Sequence, residues 1–200
     1  MVLACAASKL TRKLPTYMGV PTKKNPFDLW VYQEMLWELK PDLVIEIGTA
    51  FGGSALYLAH LLDRLGAGTL VSIDLNHAQV MSSVRSHPRI RLVTGDAVDV
   101  VETIRPLAQA GKVVMVIEDS SHTYDNTLAV LRTYAGFVTR GSYFIVEDTI
   151  NHHGLNEGPS PGPYEAVSDF LDECPRFVPD SSREKFLITS NPKGFLKRVE

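Results

Sequence analysis

The sequence predicts a doubly wound α/β domain on a mostly parallel sheet, and three features carry that expectation. Apolar runs recur in "LVIEI", "TLVSIDL", "IRLVTGDA", "KVVMVIED" and "GSYFIVED", most of them too uniformly apolar to be half-exposed strands. The segments between them are long enough for crossover helices, and such alternation gives a parallel sheet covered on both faces. The C-terminal "EKFLITSNPKGFLKRVE" differs: it reads as two strands about an Asn-Pro-Lys-Gly turn, an antiparallel hairpin that brings the sheet to seven strands.

Residues 1–16 read as a loosely ordered lead and 17–200 as a single domain. Within the domain, "KKNPFDLWVYQEMLWELKPD" predicts a covering helix over 26–40. Asn25 is its cap, Pro26 its first turn, and Leu29, Tyr32, Leu36 and Leu39 share one face. Pro41 stops it. "LVIEIGTAFGGSALYLAHLLDRLGAG" is a strand, a glycine turn, and a helix ending at Gly66. The segment "NHHGLNEGPSPGP", Asn151 to Pro163, lacks periodicity and reads as a functional loop.

Composition narrows the function. With 20 basic and 23 acidic residues, a formal charge of -3 and no dense mixture of cations with aromatics, nucleic acid is not the expected partner. Cys5 and Cys174 make neither a disulfide framework nor a metal spacing, so a reduced, cytoplasmic chain is expected. Only four residues precede Cys5, too few for a lipoprotein leader, and no apolar stretch is long enough to span a bilayer.

The chemistry gathers at strand ends. The first strand carries Glu46 and runs into Gly48, Thr49, Gly52 and Ser54, a glycine turn that lets backbone approach a ligand and frees helix N-terminal amides. Neither the dinucleotide fingerprint nor the P-loop is matched, which weighs against a nicotinamide-dependent dehydrogenase. Acid-x-Gly-x-x-x-Gly is instead the form found in S-adenosylmethionine-dependent methyltransferases. Asp74 ends the second strand, where an acid can accept from both ribose hydroxyls. Asp96, followed by Ala97, ends the third, where it could receive an adenine amino group; either acid alone could instead be a helix cap.

Two further apolar runs end in acids, "MVIEDSSHTYDN" at Glu118 and Asp119 and "YFIVEDTINHH" at Glu147 and Asp148. In an open parallel sheet these ends converge, and crowded carboxylates call for a proton or a cation. Oxygen ligands suit Mg2+, with Mn2+ and Ca2+ as open alternatives. The competing reading has these acids cap helices or pair with Arg132 or Arg140. His122, three residues past Asp119, could take a proton near neutrality. The roles of Glu118, His152 and His153 stay open. No serine nucleophile elbow is present, which disfavours hydrolysis.

From about Met18 to the C-terminus, the ordered succession "PFDLWVYQEMLWELKPDLVIEIGTAFGGSALYLA", "VSIDL", "GDA", "IEDSSHTYDN", "GSYFIVEDT", "GPYEAVSDFL" and "NPKGFLKR" resembles the cephalosporin hydroxylase and rhamnosyl O-methyltransferase family. The resemblance implies a class I, Rossmann-like methyltransferase fold and an S-adenosylmethionine- and Mg2+-dependent O-methyltransferase. Such an enzyme would act on a small-molecule hydroxyl, one of a vicinal pair on a sugar or natural product, and would be a homo-oligomer. It implies Asp119, Glu147 and Asp148 as metal ligands, with Asp119 and His122 catalytic and His122 the base. Glu46, Gly48, Asp74 and Asp96 are then cofactor residues. Glu118 stands where the family commonly has an apolar residue. The alternative activity class is a non-catalytic S-adenosylmethionine-binding subunit that assists a partner enzyme.

Overall fold

The computed structural model describes residues 14–153 and 161–200. A two-stranded ladder, β1 (Thr16–Tyr17) and β2 (Val20–Pro21), leads into α1 (Pro26–Leu39). The strands β3 (Leu43–Ile47), β4 (Thr69–Asp74), β5 (Ile90–Thr94), β6 (Val114–Glu118) and β7 (Tyr143–Val146) then alternate with α2 (Gly53–Leu65), α3 (Ser82–Arg85), α4 (Val101–Ala110) and α5 (Tyr124–Tyr134). The chain finishes with α6 (Pro163–Glu173), β8 (Phe177–Pro179) and β9 (Phe195–Arg198). One seven-stranded sheet results, in the order β5-β4-β3-β6-β7-β9-β8. The first five strands pair in parallel; β9 runs antiparallel to both β7 and β8.

Because successive strand side chains alternate faces, the uniformly apolar strands feed two cores. Met115, Ile117, Tyr143 and Ile145 pack with Val31, Met35 and Leu36 of α1 and Leu58 and Leu62 of α2. Val114, Val116, Phe144 and Val146 meet α4, α5 and α6 on the other face. Each large apolar side chain fully withdrawn from water here contributes roughly 1.5–3 kcal/mol. α1 begins as expected, with Asn25 accepting from the Phe27 amide at 3.0 Å. It ends at Leu39, since Lys40 takes a left-handed conformation (φ 48°) ahead of Pro41.

The antiparallel closure exists, but its outer strand is not where the sequence pattern put it. Phe177–Pro179 pairs with β9, while residues 185–190 form no strand. That stretch is held by α1 instead. Asp28 accepts from the Thr189 hydroxyl at 2.6 Å and the Ser190 amide at 2.9 Å, Lys185 pairs with Glu34, and Phe186 packs on Phe27. Contacts to α1 side chains, including one to the Ser190 amide, thus take the place of strand pairing. Among the described residues no helix is long and apolar enough to cross a membrane.

Gly48 is the tightest point beside the sheet. Its φ is 102°, and a Cβ there would lie 1.9 Å from the carbonyl oxygen of Asp119. Gly48→Ala is therefore expected to destabilise the fold by roughly 2 kcal/mol or more, through strain and displacement of the β6 end. Urea unfolding measures this; a midpoint equal to wild type would show that the turn relaxes freely.

Candidate active site

Parallel pairing continues past the strands and sets the site. The Asp119 amide donates to Ile47 O and the Glu147 amide to Glu118 O, both at 2.8 Å, so the acids ending β6 and β7 emerge side by side. Beyond them the chain turns sharply: His122 and Asp148 hold φ of 54° and 51°, a region non-glycine residues rarely enter. Asp148 is kept there by Asn191, whose side-chain oxygen accepts its amide at 2.8 Å. Such conformations persist only where the surroundings over-determine them.

The acids divide into two groups. Asp119 Oδ1 lies 3.7 Å from His122 Nε2, which lies 3.6 Å from Asp148 Oδ2. These separations are too long for hydrogen bonds, so the three donor atoms face a common space rather than one another. Glu147 does not open onto it. Lys24, arriving between β2 and α1, sets its buried ammonium between Asp119 Oδ2 and Glu147 Oε1, 2.5 Å from the latter. Tyr32 adds a hydrogen bond to Glu147. Burial pushes the carboxyls up, Asp119 to about 7 and Glu147 to about 8, while Lys24 opposes the rise. Lys24 itself is held above its ordinary value by the two carboxylates, which outweigh its burial. Arg132 pairs with Glu173 and Arg140 bonds Val199 O, so neither reaches this site.

A cavity of about 260 Å³ opens beside the acids, at the carboxyl ends of β3 to β6. Gly48, Asp74, Asp96, Ala97 and Asp119 line it. Asp74 also clamps the glycine turn, its Oδ2 accepting from the Thr49 and Ala50 amides at 2.9 and 3.0 Å. Asp96 accepts the Val98 amide at 2.8 Å as a local cap. The remaining residues of the turn support it from behind. Glu46 is buried, its two oxygens taken by the Ser54 and Ser72 hydroxyls, each at 2.5 Å, and burial raises its pKa. Thr49 Oγ1 meets Ser72 at 2.7 Å and His77 Nε2 at 3.2 Å. Gly52 opens α2 with φ 87°.

Several side chains escaped the sequence reading. Lys24 pairs with partners far along the chain, so no spacing pattern announces it. Asn126 reaches Glu118 Oε1 at 3.2 Å and Ser120 Oγ at 2.8 Å, and lines the cavity. Glu118 folds back to accept from the Ser120 amide and hydroxyl at 2.8 and 2.7 Å, which fastens the turn between Asp119 and His122. His153 is committed to Glu165 at 2.9 Å and stacks on Tyr164, whereas the buried Nδ1 of His152 has no hydrogen-bond partner among the described residues. Within the expected loop, residues 154–160 lie outside the described ones.

A doubly wound sheet with an acid-lined cavity at its switch point is the frame of a ligand-binding α/β enzyme, and the family it matches is one of O-methyltransferases. Residues 10–199 match the family described as Rhamnosyl O-methyltransferase/CmcI, and the chain belongs to it. Rhamnosyl O-methyltransferase of Mycobacterium tuberculosis is 38% identical over 191 residues, covering 92% of this chain and 78% of that protein. Its namesake in Mycobacterium leprae is 36% identical, covering 92% and 82%. Among solved structures, apo CmcI superposes with a TM-score of 0.72 at 26% identity, over 93% of this chain and 76% of that one. CmcI with Mg-SAM gives 0.68 at 23%, over 96% and 82%.

His77 supplies a test of the support behind the glycine turn. It is buried between Thr49 and Thr94, 2.8 Å from Thr94 Oγ1, and burial holds its pKa below the usual value although Asp74 opposes this. The unfolded chain therefore takes up the proton first. Stability present at neutral pH is expected to fall as pH drops below about 6.5. His77→Gln should flatten that part of the pH dependence in urea titrations from pH 7 to 5.5; identical slopes would remove His77 as its source.

Proposed function

We propose that the protein transfers the S-adenosylmethionine methyl group to a hydroxyl of a small molecule, one of a vicinal pair on a sugar, with a divalent cation at the acidic site. One observation carries this reading: Asp119 lines the cofactor cavity and also belongs to the cluster with His122 and Asp148. The reacting methyl and an activated hydroxyl would therefore meet at one residue. Relatives named for a rhamnosyl acceptor support a sugar hydroxyl, and the CmcI structure with Mg-SAM supports the cofactor and cation.

The donor chemistry fits a hard cation. Ligand atoms of Asp119, His122 and Asp148 lie within 4.8 Å of one another, and the two carboxylates supply oxygen. Asp119, Glu147 and Asp148 would hold the ion, with Lys24 beside the first two. A bound divalent ion would supply positive charge that lowers the pKa of an adjacent hydroxyl. His122 Nε2 takes the hydroxyl proton and, being partly exposed, returns it to solvent. The freed oxygen pair attacks the sulfonium methyl in line, the carbon–sulfur bond breaks, and its electrons stay on sulfur as S-adenosylhomocysteine leaves. Positioning by the glycine turn and Asp74 supplies much of the rate.

The test is transfer of labelled methyl from S-adenosylmethionine to a panel of sugars and diols, with and without chelator. Asp119→Asn is expected to abolish transfer while cofactor-product affinity, read by calorimetry, stays within a few-fold. His122→Ala should lower kcat by about 10²-fold or more, and a pH–rate profile unchanged by that substitution would remove His122 from the mechanism. Unchanged turnover in EDTA-treated enzyme would exclude the cation from this reading. No transfer to any hydroxyl acceptor, with cofactor bound, would favour the accessory-subunit role.

A further inference from the structure

The buried polar residues behind the glycine turn join into one chain of side chains across three strands. Glu46 on β3 and Ser72 on β4 are register partners, so their side chains share a face. With Glu46 as a carboxylate, Ser54 and Ser72 give their hydroxyl protons to its two oxygens. Lys24 and the two hydroxyls favour that charged form, while burial opposes it. A hydroxyl has one proton, and Ser72 has committed its own to Glu46. In the 2.7 Å contact between Ser72 and Thr49, Thr49 is therefore the donor. Thr49 then has no proton left for His77, so their 3.2 Å contact is a donation from His77 Nε2–H to Thr49 Oγ1. A neutral imidazole protonated on Nε2 has a bare Nδ1, and this accepts from the Thr94 hydroxyl at 2.8 Å. Every link points the same way, from Thr94 on β5 to the Glu46 carboxylate.

None of these side chains lines the cavity, yet each strand or turn member adjoins a segment that does. Thr49 stands between Gly48 and Ala50, Ser72 just ahead of Ile73, and Thr94 just ahead of Gly95. His77, 6% exposed, is the link that carries the chain from the glycine turn to β5. Its own loop is held in turn, because Arg85 donates to the His77 carbonyl oxygen and, at 3.1 Å, to Val80 O. Resting on the cofactor reading above, we infer that His77 is a positioning residue for S-adenosylmethionine: as its Nε2–H tautomer it closes a one-way chain that fixes the glycine turn against the ends of β4 and β5 around the cofactor. Aligned donors strengthen one another, so the loss of one link slackens the rest.

Nitrogen NMR of the imidazole rings at neutral pH, with the His77 signals assigned by their loss in His77→Gln, should show a protonated Nε2 and a bare Nδ1. A proton on Nδ1 instead means that the chain runs the other way, and overturns the inference. Calorimetry with S-adenosylhomocysteine tests the positioning. Thr94 is exposed, so Thr94→Val keeps the strand and removes only the hydroxyl. It is expected to weaken binding by about five-fold, and Thr94→Ser, which keeps the donor, should stay close to wild type. Thr49→Val breaks the same chain on the other side of His77. The double variant should therefore bind about as weakly as the weaker single variant, not at the product of the two losses. Wild-type affinity in Thr94→Val, or losses that multiply, overturns the positioning role alone. If Thr49→Val does not fold, the tautomer and the Thr94 pair still decide. A wild type that binds no S-adenosylhomocysteine removes the cofactor reading and the positioning role with it.

Discussion

The site depends on an unbroken ladder across β3, β6 and β7 that runs one residue beyond the strands. Backbone bonds from Asp119 to Ile47 and from Glu147 to Glu118 bring two carboxylates from distant parts of the chain to neighbouring positions. No side chain needs to recruit them: the register of a parallel sheet does so. The geometry tolerates this only because Gly48 has no Cβ to strike the Asp119 carbonyl. One missing methyl therefore joins the glycine turn to the acidic cluster.

Convergence creates an electrostatic problem that the fold meets in different ways at different acids. Glu46 is satisfied by two hydroxyls, Glu118 by an amide, a hydroxyl and Asn126, and Glu147 by Lys24 and Tyr32. Asp148 keeps its carboxylate partly exposed and pays only in backbone conformation, with Asn191 as its anchor. Buried acids are thereby enclosed by their own donors, and the outward-facing oxygens of Asp119 and Asp148 stay available.

Much of this was legible in the sequence. Uniformly apolar strands separated by helices specify a parallel sheet, and chain order places Asp74, Asp96, Asp119 and the Glu147–Asp148 pair at the carboxyl ends of its strands. The illegible parts depend on tertiary pairing. Residues 185–190 have strand composition, yet α1 offers Asp28, Glu34 and Phe27 as better partners, and local propensity gives way. Lys24 has no periodic relation to its acids. Glu46 and Ser54 are visible as members of a glycine-turn motif, but only coordinates show that they bond each other inside rather than line the cavity.

The described ends of the segment from Asn151 to Pro163 lie at one place. A Cβ on Gly162 would lie 2.9 Å from Asn151 O, Asn151 donates its amide to Asp148 O, and Glu165 accepts the Gly162 amide. Closing a longer loop between ends already held together costs only about 0.6 kcal/mol per doubling of length. Insertions there would leave the strand register, and with it the acids and the glycine turn, undisturbed. The chain between those held ends can therefore change in length while the frame that presents the acids is kept.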